Sequence, residues 1–198
     1  MLFLNEMPKE ARDKILYAGL LRFTTDGYKD TSVLEIVEMA RVSKTTFYQN
    51  FSSKEELMAE LLRVIAEEIL DAVRCSTDQE ERNAYKAYAG ILRYIEICFA
   101  DIKAANLMLV ESVGVSQEIE KVRSEVHRRF ARLIFQTVQG QLPETVSETE
   151  MHIVSLAMVG AINEVVVQHY NQPAAVEYDV LARLLNRIVI SAFVHLGN

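Results

Sequence analysis

The chain has 198 residues, of which 50% are hydrophobic and 25% are charged, with only three Pro and seven Gly. This length and composition are typical of one large or two small folded domains and exclude a disordered chain. The formal net charge of −7 is unevenly placed: residues 1–54 carry a balance of +1 and residues 55–198 a balance of −8, so the excess acid lies outside the N-terminal part.

The chain lacks the common signatures of membrane insertion, metal binding and catalysis. No uninterrupted apolar run reaches about eighteen residues and acidic residues follow Met1 closely, so we expect a cytoplasmic protein without a membrane partner. Cys75 and Cys98 are far apart and the four His residues lack ligand spacing, so we expect no disulfide, metal or other cofactor. The absence of nucleophile-elbow, phosphate-loop and His-Glu-x-x-His motifs argues against an enzyme.

The first 54 residues contain three predicted helices. Pro8 is tolerated in a first helical turn, and apolar residues with helical spacing follow until Gly27 predicts the end of that helix. Ser32 and Glu35 form a Ser-x-x-Glu capping box that predicts a short second helix, and Ser43 is a favourable N-cap for a third. Because only a short turn separates the second helix from the third, the pattern is typical of a helix-turn-helix.

The remaining sequence also has only helical periodicity. Ser53 and Glu56 repeat the capping box ahead of a long connecting helix over residues 53–75, and Thr77 and Glu80 predict the start of the next helix. We therefore predict an all-α fold of about nine helices, with a helix-turn-helix domain at 1–54 and a second domain at 76–198. The further helices are predicted at 78–100, up to about Leu109, at 117–140 ending at Gly140 and Pro143, at 147–172 ending at Pro173, and at 178–195.

The third helix carries the candidate DNA-contacting residues. In a helix-turn-helix the second helix of the pair lies in the major groove, where its first residues meet base edges while flanking groups hold phosphates. Lys suits guanine acceptors, Gln suits adenine, and Thr can donate or touch a thymine methyl group. Taken alone, Ser32 and Ser43 are better explained as caps, Tyr48 as a packed side chain and Lys54 as a solvated charge, so the prediction depends on their clustering between Ser32 and Lys54. The candidate base contacts are Lys44, Thr45, Thr46 and Gln49, and the candidate phosphate contacts are Ser32, Ser43, Tyr48, Asn50 and Lys54.

These residues lie in the string GYKDTSVLEIVEMARVSKTTFYQNFSSKEEL, which follows ILYAGLLRF. Residues 12–62 thereby resemble the DNA-binding domain of the TetR (tetracycline-repressor) family of bacterial regulators. The resemblance implies a three-helix unit, a connecting fourth helix, and a variable C-terminal domain that dimerises and binds a small-molecule effector. It also implies contacts at the positions named above except Ser43. Three residues depart from the family pattern: Arg41 replaces the usual turn Gly and is expected to be strained if φ is positive, Arg22 replaces an apolar residue, and Asn50 replaces a frequent His or Tyr.

The last two predicted helices are the candidate dimer interface. Reading of an operator by a helix-turn-helix usually needs two copies on half-sites one helical turn apart, so part of the chain is expected to form a homodimer. Each helix carries an apolar stripe, and small residues in the first one permit close approach. The alternative is that both stripes only pack the core of one subunit. The candidate interface residues are Ile153, Leu156, Ala157, Gly160, Ala161, Leu181, Leu184, Leu185 and Ile188.

The central helices contain candidate effector-binding residues of two kinds. Large or flexible apolar side chains suit an adaptable pocket, although they suit a plain core equally well. Polar residues inside apolar stretches can orient a ligand or pair within the fold. The effector is expected to be mainly apolar with one or two polar groups. The candidates are Tyr94, Phe99, Leu107, Met108, Glu111, His127, Asn163 and Glu164, with Phe130 as a further apolar residue of this region.

The combined expectation is a ligand-responsive transcriptional regulator. A repressor would bind a pseudo-palindromic double-stranded operator until the effector, bound in the C-terminal domain, favours a tilt of the connecting helix that changes the half-site spacing. Two alternatives stay open at this point. One is a transcriptional activator of the same architecture, and the other is a helical protein-interaction module without a ligand.

Overall fold

The computed structural model describes residues 6–139, 147–171 and 176–194. Within these ranges the chain forms nine α-helices and no strand, which confirms the predicted all-α fold. The ends predicted at Gly140, Pro143 and Pro173 lie outside the described residues. The helices are α1 (Ala11–Thr25), α2 (Val33–Ala40), α3 (Lys44–Asn50), α4 (Lys54–Gln79), α5 (Asn83–Ala100), α6 (Ile102–Asn106), α7 (Gln117–Val138), α8 (Glu148–Asn171) and α9 (Tyr178–Val194), with a π-helical segment, Leu107–Glu111, between α6 and α7.

The described residues form two compact units. Unit 1 contains residues 6–68 and 100–126, and unit 2 contains the rest. This partition differs from the division by chain position predicted above, because α6, the π-helical segment and the start of α7 pack with the N-terminal helices. Both α4 and α7 contribute residues to each unit.

The core of unit 1 is formed by the apolar faces of its first four helices. The helical spacing predicted for α1 is confirmed, since its buried residues are Ile15, Leu16, Ala18, Gly19, Leu20 and Phe23. Gly19 lies where α1 and α4 approach closely: a Cβ atom there would stand 2.8 Å from Leu57 Cδ2, and Leu57 is itself fully buried. A larger residue at Gly19 would therefore require the buried Leu57 side chain to shift.

Capping boxes mark the beginnings of α2 and α8, at the positions predicted from the sequence. The Ser32 hydroxyl accepts from the Glu35 N–H at 3.2 Å, and the Glu35 carboxylate accepts from the Ser32 N–H at 2.7 Å. Ser147 and Glu150 form the same reciprocal pair at the start of α8. Such boxes satisfy backbone donors that the helix itself leaves unpaired.

The junction between α4 and α5 differs from the prediction. The Thr77 hydroxyl does not cap a new helix: it is buried and donates to the Arg74 carbonyl at 2.7 Å, so α4 continues to Gln79. Of the two hydrogen bonds in the capping box predicted for α4, one is present. The Ser53 hydroxyl accepts from the Glu56 N–H at 3.0 Å, but the Glu56 carboxylate bonds to Ser52 instead of Ser53. Ser and Thr hydroxyls can also bond backward to carbonyls one turn earlier, so the Thr-x-x-Glu pattern alone was ambiguous.

Arg41 occupies the turn between α2 and α3 in the left-handed region, with φ 52° and ψ 47°. The expected strain at this non-glycine residue is therefore present. We predict that Arg41→Gly raises the free energy of unfolding in urea by about 1 kcal/mol, because glycine adopts positive φ without the Cβ clash. Arg41→Ala serves as the control for loss of charge and should leave stability nearly unchanged. Equal stabilities of the Gly and Ala variants would contradict the assignment of strain.

Unit 2 is a helical bundle built from the end of α4, α5, most of α7, α8 and α9. Its largest fully buried side chain is Phe193. By length and composition the stretch Glu148–His169 of α8 could cross a membrane, with a mean hydropathy of 1.5. The sequence analysis predicts no such stretch because no uninterrupted apolar run reaches about eighteen residues, yet the mean hydropathy of this segment is high in spite of Glu164. Core helices of proteins outside membranes pass the same test, so the finding establishes only a strongly apolar helix.

Candidate functional site

Four side chains form one exposed polar face on α3. Lys44, Thr45, Tyr48 and Gln49 are all exposed, and at 3.6 residues per turn they span an arc of about 140°. On the opposite side Phe47 is fully buried and contacts the rings of Tyr48 and Phe51. The burial of Phe47 fixes the rotation of α3, so this polar face is held outward, where it can meet another macromolecule.

Thr46 and Asn50 lie away from this face. Ser43 caps α3 by accepting from the Thr46 N–H at 2.9 Å, and the Ser43 and Thr46 hydroxyls lie 2.8 Å apart. The Asn50 side-chain amide donates to the Thr46 carbonyl at 2.8 Å. Both Thr46 and Asn50 are half-buried. The structure therefore places three of the four candidate base contacts, Lys44, Thr45 and Gln49, on one face with Tyr48. The side chains of Ser43, Thr46 and Asn50 instead form hydrogen bonds at the start of α3 or to its backbone.

The charge around α3 suits a polyanion. Between residues 39 and 54 the chain has three cations, Arg41, Lys44 and Lys54, and no carboxylate. Arg41 and Lys44 are exposed, and Lys29 is a further exposed cation in the same unit. A local excess of positive charge of this kind attracts phosphates even in a chain whose total charge is negative.

Lys54, however, is already engaged inside unit 1. Its ammonium group donates to the carbonyls of Tyr28 and Thr31, each at 2.6 Å, and lies 4.3 Å from the centre of the Tyr28 ring. Burial lowers its pKa below the usual value for lysine. Lys54 thus ties the loop between α1 and α2 to the start of α4, and the predicted phosphate contact would require these bonds to be given up.

Ser32 is engaged in a similar way. Its N–H and its hydroxyl both donate to the same Glu35 oxygen at 2.7 Å. These two bonds, first the one from the backbone N–H, lower the pKa of Glu35, so the carboxylate is ionised at neutral pH. A DNA phosphate at this helix start would have to replace the Glu35 carboxylate, which already supplies the negative charge that the helix end favours.

Unit 2 contains a narrow apolar cavity with a polar pair in its wall. The cavity volume is about 60 Å³ and its lining comes from α4, α5, α7, α8 and α9. Among the lining residues, Tyr94 donates its hydroxyl to Asn163 Oδ1 at 2.7 Å. Burial raises the pKa of Tyr94 well above its usual value, so the hydroxyl keeps its proton and remains a donor.

Two of the eight candidate effector residues, Tyr94 and Asn163, line this cavity, and the other six lie elsewhere. Phe99 stacks on Tyr178, with ring centroids 5.0 Å apart. A ring nitrogen of His127 lies 3.2 Å from the Leu156 carbonyl oxygen. Glu164 is exposed and accepts from Gln168. The remaining three, Leu107, Met108 and Glu111, belong to the π-helical segment of unit 1.

The sequence-based candidates missed most of the cavity wall. Phe130 lines it as suspected, but Thr77, Gly90 and Thr137 were not among the effector candidates. Gly90 carried a usable signal, because a glycine inside a long helix often marks a close approach. A Cβ atom at Gly90 would stand 2.8 Å from Thr77 Cγ2, so Gly90 permits the close packing of α5 on Thr77 of α4 beside the cavity.

Comparison with known proteins agrees with this architecture. Residues 15–61 match the family model of bacterial regulatory proteins of the tetR family. The chain is 30% identical over 134 residues to the HTH-type transcriptional regulator TcmR of Streptomyces glaucescens, and 35% identical over 105 residues to the HTH-type transcriptional activator FasR of Mycolicibacterium smegmatis. The matches cover 64% and 52% of this chain and 59% and 48% of those relatives. The N-terminal segment is therefore similar to the DNA-binding domain of the tetR family. The chain spans about half the length of these curated relatives.

A likeness of fold extends over most of the chain. The crystal structure of FadR from Bacillus subtilis in complex with stearoyl-CoA superimposes with a TM-score of 0.78, covering 90% of this chain and 97% of that one. The sequence identity is only 16%, so this likeness shows a shared fold. The predicted resemblance of the N-terminal helices to the TetR family and the predicted all-α architecture are both confirmed by these comparisons.

The chain also exposes apolar residues on its last two helices, α8 and α9. On α8, Ile153 is 60% exposed, and Ala157 and Ala161 follow it at intervals of one turn. On α9, Leu184 and Ile188 are 42% and 54% exposed. Only part of the stripe predicted on α9 is exposed, however, because Leu181 and Leu185 are buried in the core of their own subunit. Leu156 and Gly160 are half-buried at the edge of the α8 stripe.

Proposed function

We propose that this chain is a ligand-responsive DNA-binding transcriptional regulator that acts as a homodimeric repressor. Effector binding in unit 2 would lower the affinity of the recognition helices for a pseudo-palindromic operator. The single observation that carries the proposal is the exposed polar face of α3, which Phe47 anchors in a segment with three cations and no carboxylate. Lys44, Thr45 and Gln49 would meet base edges, while Tyr48, Arg41 and Lys29 would meet phosphates.

The DNA-binding proposal is tested by selecting bound fragments from a random DNA pool and then measuring affinity for the selected sequence as a function of salt. With two or three cations acting per subunit, a dimer neutralises about four to six phosphates, so the log-log salt slope should be about −4 to −5. A slope near zero, or a selection that enriches no shared sequence, would rule out specific docking through α3.

The effector proposal is supported by the cavity in unit 2. A volume of about 60 Å³ holds a few water molecules at most, so a mainly apolar effector must widen the cavity to enter. The fold is shared with FadR of Bacillus subtilis, which was crystallised with stearoyl-CoA, and this supports an effector with an acyl-like chain. A narrow cavity that must widen provides two states for a ligand to discriminate.

Helix α4 offers a route by which this opening would reach the DNA-binding helices. Its first turns pack through Leu57 against Gly19 of α1, and its last turns place Val73 and Thr77 in the cavity wall. A ligand that displaces the end of α4 would also tilt its beginning, since a helix moves largely as a rigid element. Binding of DNA and binding of effector would then oppose each other by the same coupling free energy.

The dimer proposal is supported by the exposed apolar stripes of α8 and α9. Apolar residues in a contiguous exposed row are typical of a surface that another protein covers. A second copy of the chain is the proposed occupant, because a two-fold pair of α8–α9 hairpins would form a four-helix interface and place two copies of α3 on one DNA duplex.

Activation of transcription is the main alternative, because FasR, one of the relatives above, is named as an activator. A reporter gene placed behind the selected operator distinguishes the two functions. Higher expression after deletion of the regulator supports a repressor, and lower expression supports an activator. The proposal further places the protein in the cytoplasm and assigns it no enzymatic activity.

A further inference from the structure

A second, polar cleft adjoins the apolar cavity of unit 2. The cleft has a volume of about 320 Å³ and shares Thr77, Leu133 and Thr137 with the cavity wall. Its other lining residues are almost all polar or charged, whereas the cavity lining is almost all apolar. The two spaces are therefore neighbouring compartments of opposite character, separated by three side chains.

Three helices line both spaces, and each places polar side chains on the cleft and mainly apolar side chains on the cavity. On α4, Arg74 lines the cleft and Val73 the cavity. On α5, Lys86 lines the cleft and Ala87 the cavity, and on α7, Gln136 lines the cleft and Val138 the cavity. A polar space and an apolar space thus adjoin along the same three helices, which matches the two parts of an amphiphile.

The charges of the cleft point to an anionic head group. Lys86 is half-buried, and among the described residues its ammonium forms no ion pair or hydrogen bond, although its charge contributes to lowering the pKa of Glu80. Arg74 also lines the cleft and pairs with Asp71 at 3.0 Å. The single carboxylate in the lining is that of Asp78. Lys86 therefore presents a cation without an ion-pair partner to the cleft, and an anion bound there would form a charge-assisted pair with it.

We propose that the effector is a single-chain amphiphile whose anionic head, a carboxylate or a phosphate, pairs with Lys86 in the polar cleft while its tail enters the cavity past Thr77 and Thr137. This inference rests on the proposed effector function and adds a head-group site to it. Arg74 is the second cation within the cleft, and Tyr94 and Asn163 lie deeper, in the wall around the tail.

The test compares probes with one chain length and different heads. Decanoate, decyl phosphate, 1-decanol and decyltrimethylammonium are titrated into the full chain below their aggregation concentrations, and affinity is measured by calorimetry. For the wild type we expect decanoate or decyl phosphate to bind at least about ten-fold more tightly than decanol, since a charge-assisted pair forms only with the anion. Comparison of decanoate with decyl phosphate then identifies the preferred head group, carboxylate or phosphate, as that of the probe that binds more tightly.

Three variants locate the head-group site. In Lys86→Gln the affinity ratio of anion to alcohol should fall to nearly one, and in Lys86→Arg it should be retained. Lys103→Gln, an exposed lysine of α6, is the matched control and should keep the wild-type ratio. Thermal melting of each variant verifies its fold, and the Arg variant keeps the test valid if Gln destabilises the chain.

The outcomes separate this inference from the proposed function. Equal binding of anion and alcohol, stronger binding of the ammonium probe, or an unchanged ratio in Lys86→Gln would overturn the head-group site while leaving the apolar cavity as the effector site. Failure of every probe to bind the wild type would overturn the cavity proposal and the head-group site with it. DNA binding, measured separately by gel shift, is independent of both results.

Discussion

Replacing Lys44 and Gln49 together with Ala should abolish sequence-specific DNA binding while leaving the fold intact. Both side chains are exposed on α3 and make no packing contribution, so their loss removes contacts that exist only with DNA. Each good contact to a base edge contributes about 1–3 kcal/mol of discrimination, and a dimer presents every contact twice. We therefore expect operator affinity to fall at least about 100-fold, measured by gel shift at fixed salt.

The matched control for this variant replaces an exposed Lys and an exposed Gln elsewhere in unit 1. Lys121 and Gln117 lie one turn apart on α7 and are both exposed. Lys121→Ala combined with Gln117→Ala changes the net charge by the same amount, so general electrostatic weakening affects both variants equally. If the α7 variant loses as much affinity as the α3 variant, the polar face of α3 does not read the sequence.

Short-range signals in the sequence predicted the helix-turn-helix well. Ser32 and Ser43 mark where α2 and α3 begin, because their hydroxyls accept hydrogen bonds from backbone N–H groups three residues later. Capping depends on neighbours within one turn, so the printed sequence contains all the information that it needs. The sequence made strain at Arg41 an expectation only on the condition of a positive φ, because Gly is usual at this turn position in the family, and the observed φ of 52° meets that condition.

Partners that are distant in sequence could not be predicted. Lys54 bonds to carbonyls of Tyr28 and Thr31, more than twenty residues earlier, and only the packed loop brings them within reach. Tyr94 and Asn163 were each predicted as effector residues, but nothing in the sequence paired them. Apolar periodicity identifies which face of a helix is buried without identifying the element that covers it.

The same limit explains the effector candidates that lie away from the cavity. Leu107 and Met108 are buried, as their apolar character predicts, but they pack in unit 1. The sequence assigned them to the C-terminal domain because they follow α5 in the chain. The structure groups residues 100–126 with the N-terminal helices instead, so chain order was a poor guide to the unit in which a side chain is buried.

Introducing a charge on the exposed row of α9 should separate the two subunits of the proposed dimer. In Leu184→Asp combined with Ile188→Asp, two carboxylates per subunit would be buried without a partner in the interface, and the two-fold axis doubles the penalty. We expect the dimer dissociation constant to rise at least about 1,000-fold, measured by sedimentation equilibrium, because interface positions of this kind each contribute about 2 kcal/mol or more. Operator affinity should fall in parallel, since a monomer occupies only one half-site.

Two comparisons distinguish an interface from a core role. Val113→Asp changes a residue that is 57% exposed outside the stripe, and it should leave both the dimer and DNA binding unchanged. Leu185→Asp changes a neighbour that is only 4% exposed, so it should lower the melting temperature of the chain itself. A double α9 variant that sediments as a dimer would place the interface elsewhere. If instead that variant melts like Leu185→Asp, the exposed row stabilises the subunit itself, because a surface covered only by a second copy contributes nothing to the stability of an isolated monomer.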